Sequence, residues 1–275
     1  MSIVELPEEI YGVDFSGAKD AGKWIWISKG IADGECLLIK RCFRAVDLPG
    51  SGKEPEKCLP ALRDYVARHA RALFGFDFPF GLPKELVKQT RWEEFILAFP
   101  SEYRSANDLR RICFSKAGNR ELKRLTDLQN RAPFSPYNIR VYRQTYYGIT
   151  KIIYPLVRDD LGCILPMQRP KRGKPWVLEV CPASTLKSEG LYGVYKNRRH
   201  SGDQSHVRYH ILSSIQATGQ LKLAKEDMID LILADCRGDA LDSLVAAFVA
   251  FRTLKKGIED QGLNCEYEIE GFIFV

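Results

Sequence analysis

Three short β-rich runs at 10–15, 24–29 and 37–43 are separated by turn residues, Ser16-Gly17 and Asp33-Gly34, which reads as an antiparallel meander. A helical stretch at 57–74, with Leu59, Leu62, Tyr65 and Val66 at helical spacing, runs directly into another β-rich segment at 73–78. Few arrangements begin with three antiparallel strands, then a helix, then a strand. Pro79, Gly81 and Pro83 stop that last strand, and from 85 to about 160 the pattern turns helical, as in Trp92, Phe95, Ile96 and Phe99. Residues 84–173 therefore read as a mainly helical insertion. A strand returns at 176–181, a helix is expected at 204–217 with Gly219 as its stop, and a final helix at 239–255. The tail, 265–275, alternates like an added edge strand, and no repeat of 20–50 residues is apparent.

Length and composition agree with one domain, 1–275, carrying that insertion: of 275 residues 45% are hydrophobic and 28% charged, ordinary globular values. The longest apolar run, 244–251, is far short of the roughly 20 residues that span a bilayer, so no membrane segment is expected. The acidic start, MSIVELPEEIYG, lacks the basic region of an export signal, which predicts a cytoplasmic protein. None of the eight cysteines is spaced as CxxC, so reduced thiols are expected. Net charge is +6, and the excess is local. From 104 to 172 there are 15 Lys plus Arg against five Asp plus Glu, a balance that suits a polyanionic partner.

The candidate chemistry is carried by carboxylates inside apolar segments. In YGVDFSG, period-2 alternation puts Tyr11, Val13 and Phe15 on one face and Gly12, Asp14 and Ser16 on the other. FGFDFPFG repeats the arrangement with Gly75 and Asp77. A glycine two residues before each acid leaves space for something other than a side chain, such as a hydrated metal ion. In RGDALDSLVAAFVAF, Asp239 and Asp242 lie three apart on one side of a helix whose Ala246, Ala247 and Ala250 permit close packing on a sheet. The alternative for this pair is an N-cap and a first-turn acid favoured by the helix dipole. Glu179, in WVLEVCPAS, sits in an apolar strand and needs a partner: a metal, an arginine or a backbone turn. Carboxylates gathered from several elements require a compensating cation, and hard oxygen ligands select Mg²⁺ or Mn²⁺. Two such ions can activate water and stabilise the leaving oxygen of a phosphodiester.

At YGVDFSG (11–17), FGFDFPFGLP (74–83), LEVCPAS (178–184) and GDALDSLVAA (238–247), the chain resembles the family called domain of unknown function 429, regarded as predicted nucleases of the ribonuclease H-like superfamily. The resemblance implies a ribonuclease H-like mixed α/β sheet: an antiparallel meander, a helix, further parallel strands and a closing helix bearing the last acid. It also implies a metal-dependent nuclease. Asp14 resembles the first-strand metal ligand, Asp77 looks like the acid ending the fourth strand, and Asp242 with Asp239 resembles the final-helix acids of Holliday-junction resolvases. On that reading Asp14, Asp77, Asp239, Asp242 and Glu179 are the catalytic candidates, and nucleic acid, DNA or RNA, is the partner.

Lys196, Arg198, Arg199 and Arg208, in YKNRRHSGDQSHVRYH, are candidate phosphate contacts or a solvated basic face. His206 and His210 lie i, i+4, but without the HExxH of a zinc hydrolase. PGSGKEPEK, at 49–57, lacks the spacing of a P-loop. Two rivals remain: an actin-like or sugar-kinase-type phosphotransferase, suggested by GVDFSGAK with Lys19, and a non-catalytic nucleic-acid-binding adaptor whose acids are structural.

Overall fold

A computed structural model describes residues 5–196, 204–258 and 267–275. The meander forms as expected: β1 (Glu9–Asp14), β2 (Trp26–Asp33) and β3 (Cys36–Arg44) pair antiparallel in sequence order. Helix α1 (Pro55–Arg68), with Pro at its first position, leads to β4 (Ala72–Asp77). The helix stops earlier than its spacing suggests, because Leu73 and Phe74 are taken into β4 opposite Ile10 and Tyr11.

Residues 84–173 then contribute α2 (Trp92–Glu102), α3 (Ala106–Lys116), α4 (Leu125–Gln129), α5 (Tyr142–Gly148), a π-helical turn (Ile149–Ile153), α6 (Tyr154–Arg158) and the short strand β5 (Cys163–Leu165). After them come β6 (Trp176–Val180), α7 (Pro182–Ser188), α8 (Ser205–Ala217), β7 (Leu221–Leu223), α9 (Asp227–Ala234) and α10 (Asp239–Lys256). The described part of the tail is a short helix, α11 (Tyr267–Glu270), and a two-residue strand, β8 (Ile273–Phe274). The sheet order is β5-β6-β4-β1-β2-β3-β7. β4 runs parallel to β1 and to β6, and β8 shares the outer edge of β6 with β5. The result is a mixed α/β architecture, a central sheet with helices on both faces.

Strand alternation assigns the two faces. Tyr11, Val13, Phe15, Phe74, Phe76 and Val177 enter one core with Leu59 and Leu62 of α1 and Phe95 and Phe99 of α2. Ile10, Leu73, Trp176, Leu178 and Val180 enter the other, beneath α10. Burying a single Leu, Val or Phe contributes about 1.5–3 kcal/mol, and α10 buries Leu241, Leu244, Val245, Phe248 and Phe251 in that second core. Gly12 and Gly75 face each other in register between β1 and β4. A Cβ at Gly12 would fall 2.0 Å from the Ser243 carbonyl oxygen and 2.1 Å from the Ala247 nitrogen, and one at Gly75 would lie 2.8 Å from the Ala246 oxygen. The space beside the two acids is therefore filled by the backbone of α10, which corrects the expectation that these glycines make room for a hydrated ion. Their effect is to let the helix sink onto the sheet until its first turn meets the strand ends. Among the described residues no helix is long and apolar enough to cross a membrane, and the described cysteines are all free.

Candidate metal centre

Asp14 closes β1 and Asp77 closes β4, and parallel register sets them directly opposite each other. Asp242, in the first turn of α10, completes a group in which one oxygen of each carboxylate lies within 4.8 Å of the others. Asp14 and Asp242 are buried, and Asp77 is partly exposed at the rim. Among the described residues, no hydrogen-bond donor reaches the side chain of Asp14 or Asp77. Asp242 is differently placed: the Tyr195 hydroxyl donates to its Oδ1 at 2.7 Å, and the Lys196 ammonium pairs with its Oδ2.

Asp239 adjoins this group without joining it. Its Oδ2 accepts from Arg237 Nε at 2.7 Å, its Oδ1 lies 3.9 Å from Lys196 Nζ, and Arg237 stacks 4.1 Å over the Trp24 ring. Asp239 does not cap its helix. Gly238, at φ +73°, occupies the cap position, and Asp235 Oδ2 accepts from the Ala240 N–H at 2.8 Å. The helix N-terminus still favours negative charge where Asp239 and Asp242 sit.

The electrostatics follow from crowding acids in a dry site. Burial pushes the Asp14 carboxyl well above the usual carboxylate range, and Asp239, Asp242 and Asp77 add to the effect while Lys196 opposes it. Burial, with Asp242 next, pushes Asp77 up to about 7. Asp239 is also raised by burial, against the pull of Lys196 and Arg237. For Lys196, burial disfavours the charged form, but Asp242, Asp14 and Asp239 outweigh it and hold the ammonium protonated. Lys196 is thus the internal counter-ion of the cluster.

Three hard oxygen donors, two of them without a hydrogen bond, fit a divalent cation of the Mg²⁺ or Mn²⁺ kind. A cation entering the set would compete with Lys196 for Asp242, both of whose oxygens already have a partner.

Glu179, expected beside these acids, points the other way. It pairs in register with Phe76 and so shares the Phe76 face of the sheet, opposite to that of Asp77. There it meets Arg124: Arg124 Nη2 and Nη1 lie 2.5 and 2.8 Å from its two oxygens, and the Phe80 N–H donates to it at 2.8 Å. Arg124 also holds Asp127 at 2.8 Å and is wholly buried. Of the partners the sequence left open for Glu179, an arginine is the one it has.

The basic candidates divide similarly. Arg208 is buried and cannot meet a phosphate, since its guanidinium donates to the Leu233 carbonyl at 2.6 and 3.1 Å and to the Tyr195 carbonyl at 2.8 Å. It anchors the segment carrying Tyr195 and Lys196. Lys196 itself lies in the carboxylate cluster rather than on a solvated face, and Arg198 and Arg199 fall outside the described residues. Tyr195, Arg237 and Arg124 were not singled out by sequence. Arg237 could have been suspected from its place before Gly238-Asp239, but neither of the others carries a local signal. No protein family, curated protein or solved structure matches the chain.

Proposed function

We propose that the protein is a metal-dependent nuclease of ribonuclease H-like architecture. The sheet order β3-β2-β1-β4-β6, with acids at the ends of β1 and β4 and on a late helix, supports that architecture. The observation that carries the reaction class is the convergence of Asp14, Asp77 and Asp242, two of which reach no hydrogen-bond donor among the described residues. Three carboxylates sharing one lysine as counter-ion are costly to bury, and a bound divalent cation would offset that cost.

Asp14, Asp77 and Asp242 would hold Mg²⁺ or Mn²⁺, with Asp239 as an outer group. Bound there, the ions supply Lewis-acid activation of water and neutralise charge developing on a phosphodiester, by one or two ions. The remaining work belongs to the chain. Tyr195 orients Asp242 through its hydroxyl, Arg237 fixes Asp239, and the Arg124–Glu179 pair locks β6 to the helical segment behind Asp77. Lys196, freed from Asp242, remains on a segment that reaches the site and can pair with a phosphate oxygen. The basic excess over 104–172 favours a nucleic-acid strand over a small phosphodiester.

Calorimetry with Mn²⁺ on the natural protein and on Asp14→Asn plus Asp242→Asn tests the centre first. Saturable binding in the former and none in the latter is expected. Asp14→Asn alone should then keep affinity for a nucleic-acid strand and lose turnover by about 10²-fold or more, the scale of a lost electrostatic catalytic group. Retained turnover would remove the proposal. Strand binding without metal binding would leave the adaptor, and metal-dependent ATP hydrolysis would instead support the phosphotransferase.

A further inference from the structure

Beside the metal centre a cleft of about 340 Å³ opens between the loop that leaves β1 and the helical segment, lined by Gly17, Lys19, Glu56, Asn107, Arg143 and Tyr147 among others. We infer that this cleft binds a phosphate group, and, resting on the nuclease reading, that the group is a backbone phosphate of the strand held at Asp14, Asp77 and Asp242.

Three observations point there. First, Lys19 and Arg143 reach the cleft from different elements, and among the described residues neither meets a carboxylate. Over 104–172, 15 Lys plus Arg face five acids, and among the described residues ion pairs form only at Arg111, Arg124, Arg158 and Lys171, so Arg143 is one of many cations there without a carboxylate, set apart by its place in the cleft lining. Glu56 is the one acid in the lining, so the cleft keeps a positive balance. Second, Arg143 is held in place. Arg143 Nε donates to the Tyr142 hydroxyl at 3.1 Å, and that hydroxyl donates to Asn107 Oδ1 at 3.1 Å. The guanidinium is thereby fixed by neutral partners that leave its charge uncompensated.

Third, the cleft is tied to the strand end that bears Asp14. A Cβ on Gly17 would lie 2.6 Å from the Arg143 carbonyl carbon, so the loop packs directly on the α5 backbone, and the Gln144 side-chain amide donates to the Phe15 carbonyl. Three residues of chain span at most about 11 Å, which places Gly17 within one or two nucleotide steps of Asp14. A volume near 340 Å³ lies at the lower end of the range for small-ligand sites and suits a phosphate with part of its sugar. Surface cations need no ligand, but two uncompensated ones converging on a fixed cleft beside a carboxylate cluster form an anion site.

The test is fluorescence anisotropy with a labelled 12-nucleotide single strand, as DNA and as RNA, in EDTA so that cleavage does not enter. The proteins are the natural chain, Lys19→Gln plus Arg143→Gln, and a charge-matched control, Lys222→Gln plus Lys225→Gln, at exposed positions in and beside β7. The cleft variant should bind about tenfold more weakly, with a salt slope shallower by roughly 0.7 to 1.4, while the control is unchanged. Equal affinity and slope in all three proteins would overturn the assignment, as would a natural chain that binds neither strand. If ATP or inorganic phosphate binds and is lost only in the cleft variant while strand affinity is untouched, the cleft serves a free phosphate and the strand assignment falls. Weakened strand binding together with no Mn²⁺-dependent cleavage by the natural chain would keep the cleft and sink the nuclease reading instead.

Discussion

Replacing Lys196 by Met should tighten divalent-cation binding. The ammonium pairs with Asp242 Oδ2 and lies 3.9 Å from Asp239 Oδ1, so a metal ion entering the cluster competes with it for the same carboxylates. Unit charges about 4 Å apart interact by roughly 4 kcal/mol at an effective dielectric constant near 20. The Lys196 side chain is 33% exposed, and solvent screening leaves about 1–1.5 kcal/mol per carboxylate. Losing one such competing interaction corresponds to an affinity gain of about tenfold. Calorimetric titration with Mn²⁺ at fixed pH and ionic strength reads this directly, with Lys196→Arg as the variant that keeps the competing charge and the natural weak affinity. The metal-free Met variant should also melt lower, since three carboxylates lose their counter-ion, and Mn²⁺ should raise its melting temperature more than that of the natural chain. Equal or weaker Mn²⁺ binding by Lys196→Met refutes the competition.

Arg124→Met strands Glu179 and Asp127 in the core and should cost about 3–5 kcal/mol in urea unfolding; a loss below about 1 kcal/mol would show that the buried pair is not holding β6 to the helical segment. Gly12→Ala forces a Cβ to 2.0 Å from the Ser243 carbonyl and should destabilise by about 2–3 kcal/mol while displacing Asp242, so Mn²⁺ affinity falls with stability. The Asp77 carboxyl, moved from 3.8 to about 7, keeps in the folded protein a proton that the unfolded chain has already released. Its contribution therefore favours folding less as pH rises from about 4 through 7, and metal affinity climbs over the same window. Asp77→Asn should flatten that part of the stability profile, and an unchanged profile would rule Asp77 out as its source.

Local pattern made much of this legible. Short β-rich runs with tight turns between them left the first three strands little choice but a meander. The G-apolar-D-F segments marked Asp14 and Asp77, and the small residues of the late helix foretold its close packing. These features sit in contiguous stretches where side-chain periodicity states which face each residue takes. Glu179 shows where such reasoning ended. Alternation within β6 separates Glu179 from Leu178, but only its pairing with Phe76 of β4 decides that it faces the helical segment and Arg124, which is 55 positions away in sequence. The same holds for Arg208, which donates to carbonyls on two other segments, and for Lys196, which the chain folds back onto Asp242. By itself, then, the sequence determined the strand order at the start of the chain and pointed to the three acids that converge. The tertiary structure decided which charges meet, because register between distant strands and the docking of α10 set distances that no spacing along the chain encodes.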